Sequence, residues 1–377
     1  MAARLRIGVI GCGLIAQVMH LHYLRELADR FEIAALCDVS EELVRACAAD
    51  YGVPHIFARW QDLLTAPVDA VLILTSGSHA PIAIAAAAAG KHMLVEKPMC
   101  FSVAEGRAMI EAARSAGVTL MVGYNKRYDP AYRHLGEEVR SLADLRLLQV
   151  TTLESPLQPY VAHYRLHRAQ SLAPDMAKSF AADNQTRITA AIGEADPLTR
   201  QAYHLVLLDS MVHEFNAVRG MLGEPDRLDF ADIRENGLTV VLRFGAAECI
   251  IAWVDLPGIA RYQMEFAFYA PDRRLSLSFP SPFLRSMPTL LRVEGGEAQS
   301  SRAWRNEEVV SYAESFKEEL IHFHDCVTAG RTPLTSGEDA LSDIALCESV
   351  VAAHLARMPR QRPSDPAASR SRLAGQA

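Results

Sequence analysis

Arg6-Ile7-Gly8-Val9-Ile10-Gly11-Cys12-Gly13-Leu14-Ile15-Ala16 reads as a short apolar strand, a glycine-rich turn and the start of a helix. Gly11 would let the chain turn sharply off the strand and Gly13 would let the backbone approach a pyrophosphate. Ala16 fills the third small position, where helix packs on strand. The free N–H groups and positive dipole end of a helix starting near Leu14 and Ile15 would face the anion. Glycine-rich turns also occur merely to close loops, so the context decides. A second strand-like run, Ile33 to Cys37, ends on Asp38, whose carboxylate is placed to accept the two ribose hydroxyls of an adenosine. The combination predicts a dinucleotide site. Asp38 would repel a 2′-phosphate and Val39 and Ser40 supply no basic residue, which favours NAD over NADP.

Outward from this turn, strand and helix signals alternate as far as Gly123. Ala70 to Leu74, His92 to Val95 and Val118 to Val122 are buried-strand runs. Ser40 is a candidate N-cap for a helix over 41–51, Gly90 closes a helix over 80–89, and Ser102 with Glu105 forms a capping box for a helix that ends at Gly117. The pattern predicts an α/β chain whose N-terminal part is a doubly wound, parallel Rossmann sheet. Ligands of such sheets lie beyond the strand carboxyl ends, where Gly11, Gly13, Asp38, Thr75, Ser76, His79 and Glu96 all fall. His79 also reads as a packing residue at a helix N-terminus.

After Gly123 the signals change to period two: Leu147 to Leu153, Leu238 to Phe244, Glu248 to Val254, Tyr262 to Tyr269 and Arg274 to Phe279. They predict an α+β domain with a large, mostly antiparallel sheet. A helical run over Leu205 to Leu222 precedes most of it. Helices over 316–330 and 338–357 follow and are expected to pack back on the first domain. Residues 1–124 are thus expected to bind the dinucleotide and 125–357 to hold substrate and build an oligomer, dimer or tetramer. The tail over 358–377, rich in Pro, Ser, Ala and Arg, is expected to be disordered.

Composition narrows the partners. The chain has 377 residues, half of them apolar, and a net charge of −7, which leaves no basic stripe for nucleic acid. Its longest apolar stretch, Pro81 to Ala89, is too short to span a bilayer. Seven cysteines without paired spacing read as reduced thiols of a cytoplasmic protein. His163 and His167 stand four apart, and His322, His324, Asp325 and Cys326 are dense. The first pair lacks a carboxylate at a matching turn, and His322 and His324 fall on different helix faces, so no metal is expected.

At Glu96-Lys97-Pro98 the order of features resembles the family of glucose-fructose oxidoreductase, inositol dehydrogenase and MocA. The matching segments are Gly11 to Ala16, the Ala89-Gly90-Lys91-His92 approach to Glu96-Lys97-Pro98, Gly123-Tyr124-Asn125-Lys126-Arg127-Tyr128 with Pro130, Asp209 with His213, and Gly330-Arg331-Thr332-Pro333 followed by Gly337-Glu338-Asp339-Ala340. They cover nearly the whole chain apart from the tail. The resemblance implies hydride transfer between nicotinamide and a secondary hydroxyl of a cyclic polyol, sugar or sugar-like metabolite, with Lys97, Asp209 and His213 in the active site. It also implies that the segment from Tyr124 borders the substrate pocket while Arg127 is structural, with Asn125 and Tyr124 as candidate substrate contacts.

The residue types suit that chemistry. Lys97 at a strand end brings charge and donors to a reacting oxygen, although a strand-end lysine can equally be a solvated surface charge. Asp209 and His213, four apart on one helix face, can aim at one point, and a neutral imidazole can take the hydroxyl proton. Their apolar neighbours Leu205, Leu207, Leu208, Met211, Val212 and Phe215 predict a buried helix in which both need partners, with Asp209 tuning His213 and Lys97 alike.

Two features depart from the resembled pattern. The interval between Lys97 and Asp209 is long, by an insertion at 156–200 that is expected to cap the pocket or build an oligomer contact. From it Tyr160, Tyr164, His163 and Arg165 are candidates to reach substrate. In addition, Tyr203-His204-Leu205-Val206 replaces a glycine-rich run before the aspartate. These departures keep two further outcomes open: an enzyme that retains NAD and uses transient oxidation for elimination, glycoside cleavage or epimerisation, and a nucleotide sensor without turnover.

Overall fold

The computed structural model describes residues 4–142, 144–169, 174–297 and 299–358. The expected disordered tail, from residue 359 onward, lies outside the described residues. Six parallel strands form the first sheet: β1 (Leu5–Ile10), β2 (Phe31–Cys37), β3 (His55–Phe57), β4 (Ala70–Ile73), β5 (His92–Glu96) and β6 (Leu120–Gly123), in the order β3-β2-β1-β4-β5-β6. Nearly every residue of β1, β4 and β5 is buried, which is why these strands read as continuous apolar runs. One strand was not expected: β3 has only three residues and too little sequence to show a period. The helix Glu41–Tyr51 is capped by Ser40, whose Oγ accepts from Leu43 N at 3.3 Å, and Ser102 caps Val103–Ala116 by accepting from Glu105 N at 3.2 Å.

The second sheet has eight strands. They are β7 (Leu147–Glu154), β8 (Arg227–Arg234), β9 (Gly237–Phe244), β10 (Ala247–Asp255), β11 (Gln263–Tyr269), β12 (Arg273–Phe279), β13 (Leu290–Gly296) and β14 (Ala303–Val309), in the order β14-β13-β12-β11-β7-β10-β9-β8. All neighbours are antiparallel except β7 with β10. Three strands, β8, β13 and β14, were not expected. All of β14 is exposed, and β8 and β13 carry charges paired across strands, such as Arg292 with Glu307 at 2.7 Å, so their polarity reads as loop.

Two helices tie the halves together. Ser315–Ala329 packs on the side of the first sheet that carries the glycine turn, and Gly337–Arg357 lies against Val103–Ala116 and β8. The 156–200 insertion contains a helix over Pro174–Ile192, which is exposed through its first half and packed by Ile188. No described helix is long and apolar enough to cross a membrane.

Candidate active site

The glycine turn leaves β1 at the point where β2 and β4 diverge to either side, the topological switch where doubly wound sheets bind ligands. Gly11 has φ +99°, and a Cβ there would lie 2.8 Å from the carbonyl carbon of Leu74, so only glycine fits without strain. Gly13 meets nothing within 4 Å and opens onto a cavity of about 650 Å³. The carboxylate of Asp38 accepts from Cys12 N and from Ser40 N, each at 2.8 Å. A carboxylate has about four lone-pair positions, so sites remain for ribose hydroxyls. Thr75 Oγ1 is buried on the cavity wall without a partner among the described residues. The clearance at Gly13, the acceptor at Asp38 and this unpaired hydroxyl fit a dinucleotide.

Leu14, Ile15, Thr75, Ser76, His79, Glu96 and Lys97 line the cavity; Gly11 and Asp38 are not among its lining residues. The polar ends of two of these are already engaged. His79 is held between two backbone carbonyls, Pro98 O at 2.8 Å from Nδ1 and Thr75 O at 2.6 Å from Nε2. Glu96 meets His20 Nε2 at 2.7 Å and accepts from Lys97 N at 3.1 Å. Burial alone would push the Glu96 carboxyl up, but His20 and Lys97 outweigh it and hold the group below the usual carboxylate range. His79 and Glu96 therefore shape the wall and leave little free hydrogen-bonding capacity for a cofactor.

The same cavity carries Asp209 and His213 beside Lys97. Lys97 Nζ donates to Asp209 Oδ1 at 2.7 Å and to Asp209 O at 2.5 Å. The stretch Tyr203–Met211 is π-helical and passes into the α-helix Val212–Leu222; such wide turns recur at functional sites. The structure corrects the expected burial of Asp209, whose side chain is 64% exposed at the cavity mouth. Asp209 pairs with Lys97, whereas His213 Nδ1 is buried with no hydrogen-bond partner among the described residues, and the ring lies edge-on to Tyr124, centroids 6.1 Å apart.

Behind His213 sits a cluster that sequence reasoning missed. Lys126 lines the cavity yet is only 4% exposed, and burial lowers its ammonium to about 8 even though Glu214 and Glu154 favour the charge. Glu214, fully buried, accepts from Thr152 Oγ1 at 2.5 Å, and burial raises it to about 7. Lys126 lies inside the motif that begins at Tyr124, so a signal was present; nothing in the spacing shows that it turns inward.

The candidate substrate contacts separate. Asn125 lines the cavity and donates from Nδ2 to Ser315 Oγ at 2.9 Å. Tyr124 is buried behind His213 and is not on the cavity wall, a correction that follows from its ring packing into the core. Tyr160 is on the wall, but its hydroxyl accepts from Tyr262 N. Tyr164 is also off the wall: its hydroxyl donates to Phe283 O at 2.8 Å, which holds it against the 283–285 loop. Arg127 donates to Asn216 O at 3.2 Å and Oδ1 at 3.1 Å and pairs with Asp339 at 3.4 Å. Asn184, His204, Phe101 and Tyr262 complete parts of the wall that the sequence did not single out.

The family model of the Gfo/Idh/MocA oxidoreductases, an NAD-binding Rossmann fold, matches residues 5–124. The myo-inositol 2-dehydrogenase of Thermotoga maritima is 26% identical over 351 residues, spanning 89% of this chain and 92% of the relative. Residues 5–124 belong to this family. A D-apiose dehydrogenase of Paraburkholderia graminis is 37% identical over 139 residues, 36% of either chain. An oxidoreductase from Agrobacterium radiobacter, solved with NAD+, L-tartaric acid and magnesium, shares the fold with a TM-score of 0.70 and 18% identity, covering 94% of this chain and 97% of that one. The chain is an oxidoreductase, and residues 5–124 are its NAD-binding domain.

Burial, reinforced by the ammoniums of Lys126 and Lys97, holds the His213 imidazolium well below its ordinary 6.5. The neutral, proton-accepting ring thus persists as pH falls through 6.5. The expected pH profile of kcat/KM for oxidation is level through that value and drops only at lower pH; an acid limb at or above the ordinary histidine value contradicts this. Stability follows the same sign. Below 6.5 the unfolded chain takes up the proton first, so the contribution of neutral His213 is present above that value and is lost as pH falls.

Proposed function

We propose that this chain is an NAD-dependent dehydrogenase acting on a secondary hydroxyl of a cyclic polyol, sugar or sugar-like metabolite. One observation carries the reading: the Lys97–Asp209 pair and the neutral His213 share a cavity with the glycine turn. When bound there, NAD supplies the hydride acceptor. His213 takes the hydroxyl proton as a general base, and among the described residues no carboxylate pairs with its Nδ1 to favour the charged ring. Lys97 donates to the reacting oxygen and stabilises negative charge as it develops. Asp209 holds Lys97 in place and, being exposed at the mouth, also offers an acceptor to a neighbouring hydroxyl. Asn125 and Tyr160 border the substrate, and residues 125–357 form the domain that carries it. The names of the inositol and apiose dehydrogenases support a polyol or sugar.

The test is to mix the purified protein with NAD and a panel of inositols, pyranoses and pentoses. Substrate-dependent, stoichiometric NADH formation with at least one of them supports the reading; consumption of substrate without net NADH supports retained NAD and transient oxidation. No consumption of any substrate, with NAD binding intact, would leave the sensor.

Asp38 is expected to set the cofactor. NAD should bind at least about tenfold more tightly than NADP, because a 2′-phosphate would meet a carboxylate. An Asp38→Ala variant should lose NAD affinity and narrow the ratio. Equal binding of both nucleotides by the unaltered protein removes the charge argument. The half-exposed face of the second sheet, with Trp304 56% exposed on β14, supports a homo-oligomer. The seven free cysteines, all buried, support a cytoplasmic setting.

A further inference from the structure

The stretch Tyr203-His204-Leu205-Val206, which stands where the resembled pattern has glycines, opens the π-helix Tyr203–Met211. Hydrogen bonds in such a helix run from residue i to residue i+5, so residues four and five apart come onto one face. His204 and Leu205 stand five and four residues before Asp209, and all three line the cavity. Tyr203 fixes this orientation from the other side: its ring is fully buried and its hydroxyl donates to Phe101 O at 2.6 Å. Where glycines would leave the wall bare, this chain places two side chains one turn from the Lys97–Asp209 pair.

Both side chains present apolar surface. Leu205 is 50% exposed although it lies on the cavity wall. The His204 ring meets that of Phe101 at 62°, centroids 5.1 Å apart. Burial, against the pull of Asp209, holds its imidazolium below the ordinary histidine value, so the ring is uncharged at neutral pH. A second exposed leucine, Leu157 at 41%, lines the same cavity at the start of the 156–200 insertion. One turn later comes Tyr160, whose hydroxyl is already held by Tyr262 N, so that its ring is what it offers the cavity. A lone exposed leucine is ordinary on a protein surface. Two on the wall that carries Lys97, Asp209 and His213, each from a segment that departs from the resembled pattern, mark a surface that an apolar group of a bound ligand would cover.

We propose that His204, Leu205 and Leu157 form a subsite for an apolar substituent on the substrate, which makes the preferred substrate a glycoside with an aromatic aglycone rather than the free sugar. The proposal rests on the dehydrogenase reading of this cavity and keeps its chemistry: the hydride leaves a ring carbon of the sugar for nicotinamide, and the hydroxyl proton goes to His213. The subsite touches no reacting atom and sets specificity by binding. The aglycone would cover Leu205 one turn from Asp209, whose side chain is exposed at the cavity mouth. Its contribution is apolar area taken from water, and partly covering a phenyl group is worth about tenfold in affinity.

The experiment gives the full-length protein NAD and glucose, galactose and xylose, each as the free sugar, the methyl glycoside and the phenyl glycoside, beside the free inositols, and follows NADH and substrate. For at least one sugar the phenyl glycoside is expected to exceed the methyl glycoside about tenfold in kcat/KM, with the difference in KM. Leu205→Ser and Leu157→Ser are each expected to lower that phenyl-to-methyl ratio about threefold. A general loss of structure would lower turnover of both glycosides together and leave the ratio where it was. Turnover of sugars or inositols by the unaltered protein without a phenyl preference overturns the subsite and leaves the proposed function standing. So does a ratio unmoved in both variants: a changed oligomeric state would then assign the leucines to a contact between copies of the chain, and weaker NAD binding would assign them to the cofactor. A protein that binds NAD and turns over nothing in the panel overturns both.

Discussion

Replacing His213 with alanine is expected to lower kcat by about two to four orders of magnitude, the span a positioned general base contributes. NAD affinity should stay within a few fold, because His213 lies outside residues 5–124, the NAD-binding domain. The pairing of those two results matters. The ring packs edge-on to Tyr124 and its removal leaves a hole beside a buried tyrosine, so a general loss of structure would lower nucleotide binding together with kcat. Unchanged kcat in this variant would remove the acid–base role from His213. A parallel loss in a Lys97→Met variant is expected, since the same oxygen would lose its donor.

The second large effect lies away from the chemistry. Arg219, 7% exposed on the helix that carries His213, donates from Nη1 to Asp343 Oδ1 at 2.7 Å and to Asp339 O at 3.0 Å, and from Nε to Glu224 at 2.9 Å. Asp343 is fully buried on the helix Gly337–Arg357, and burial pushes its carboxyl up to about 7 even with Arg219 beside it. Arg219→Ala would leave that carboxylate with Asn216 Nδ2 at 2.8 Å and no cation at its former place. The expected loss is about 3–5 kcal/mol of unfolding free energy, read from urea denaturation. Because the neutral carboxyl is the form the fold tolerates, the deficit should shrink as pH falls below about 7. A double replacement of Arg219 and Asp343 by apolar residues of similar volume should recover much of it. A single variant as stable as the parent would show that the cluster does not hold the His213 helix to its neighbour.

Much of the fold could be read in advance because local and tertiary signals agree in the first sheet. The apolar runs at Ile7, Ile33, Ala70, His92 and Val118 belong to strands buried on both sides, and the caps at Ser40 and Ser102 sit where short polar side chains satisfy helix N–H groups. Agreement fails where strands are short or exposed. His55–Phe57 is too short for a period, and Ala303–Val309 is held by pairing to β13 and by cross-strand charges rather than by a buried face.

The site divides in the same way. Motif order and a four-residue spacing point to Lys97, Asp209 and His213, and the three line one cavity. Their partnerships could not be read. The π-helical stretch over Tyr203–Met211 depends on tertiary packing, and spacing could not show that Asp209 would turn to Lys97. The inward turn of Lys126 toward Glu214 and Glu154 joins residues from three separate segments, which no periodicity reports. The insertion was expected to cap the pocket or build an oligomer contact; its hydrogen bonds from His167 N to Gln17 and from Arg187 to Glu105 cross 150 residues in one case and 82 in the other.

The most direct test follows the hydride itself. Incubated with NAD and a substrate polyol or sugar deuterated at the carbinol carbon, the protein is expected to place deuterium on the nicotinamide ring, whether NADH accumulates or is reoxidised in place, and a His213→Ala variant to do so far more slowly. Turnover of the deuterated substrate with no label on the nicotinamide at any time would contradict hydride transfer at this site.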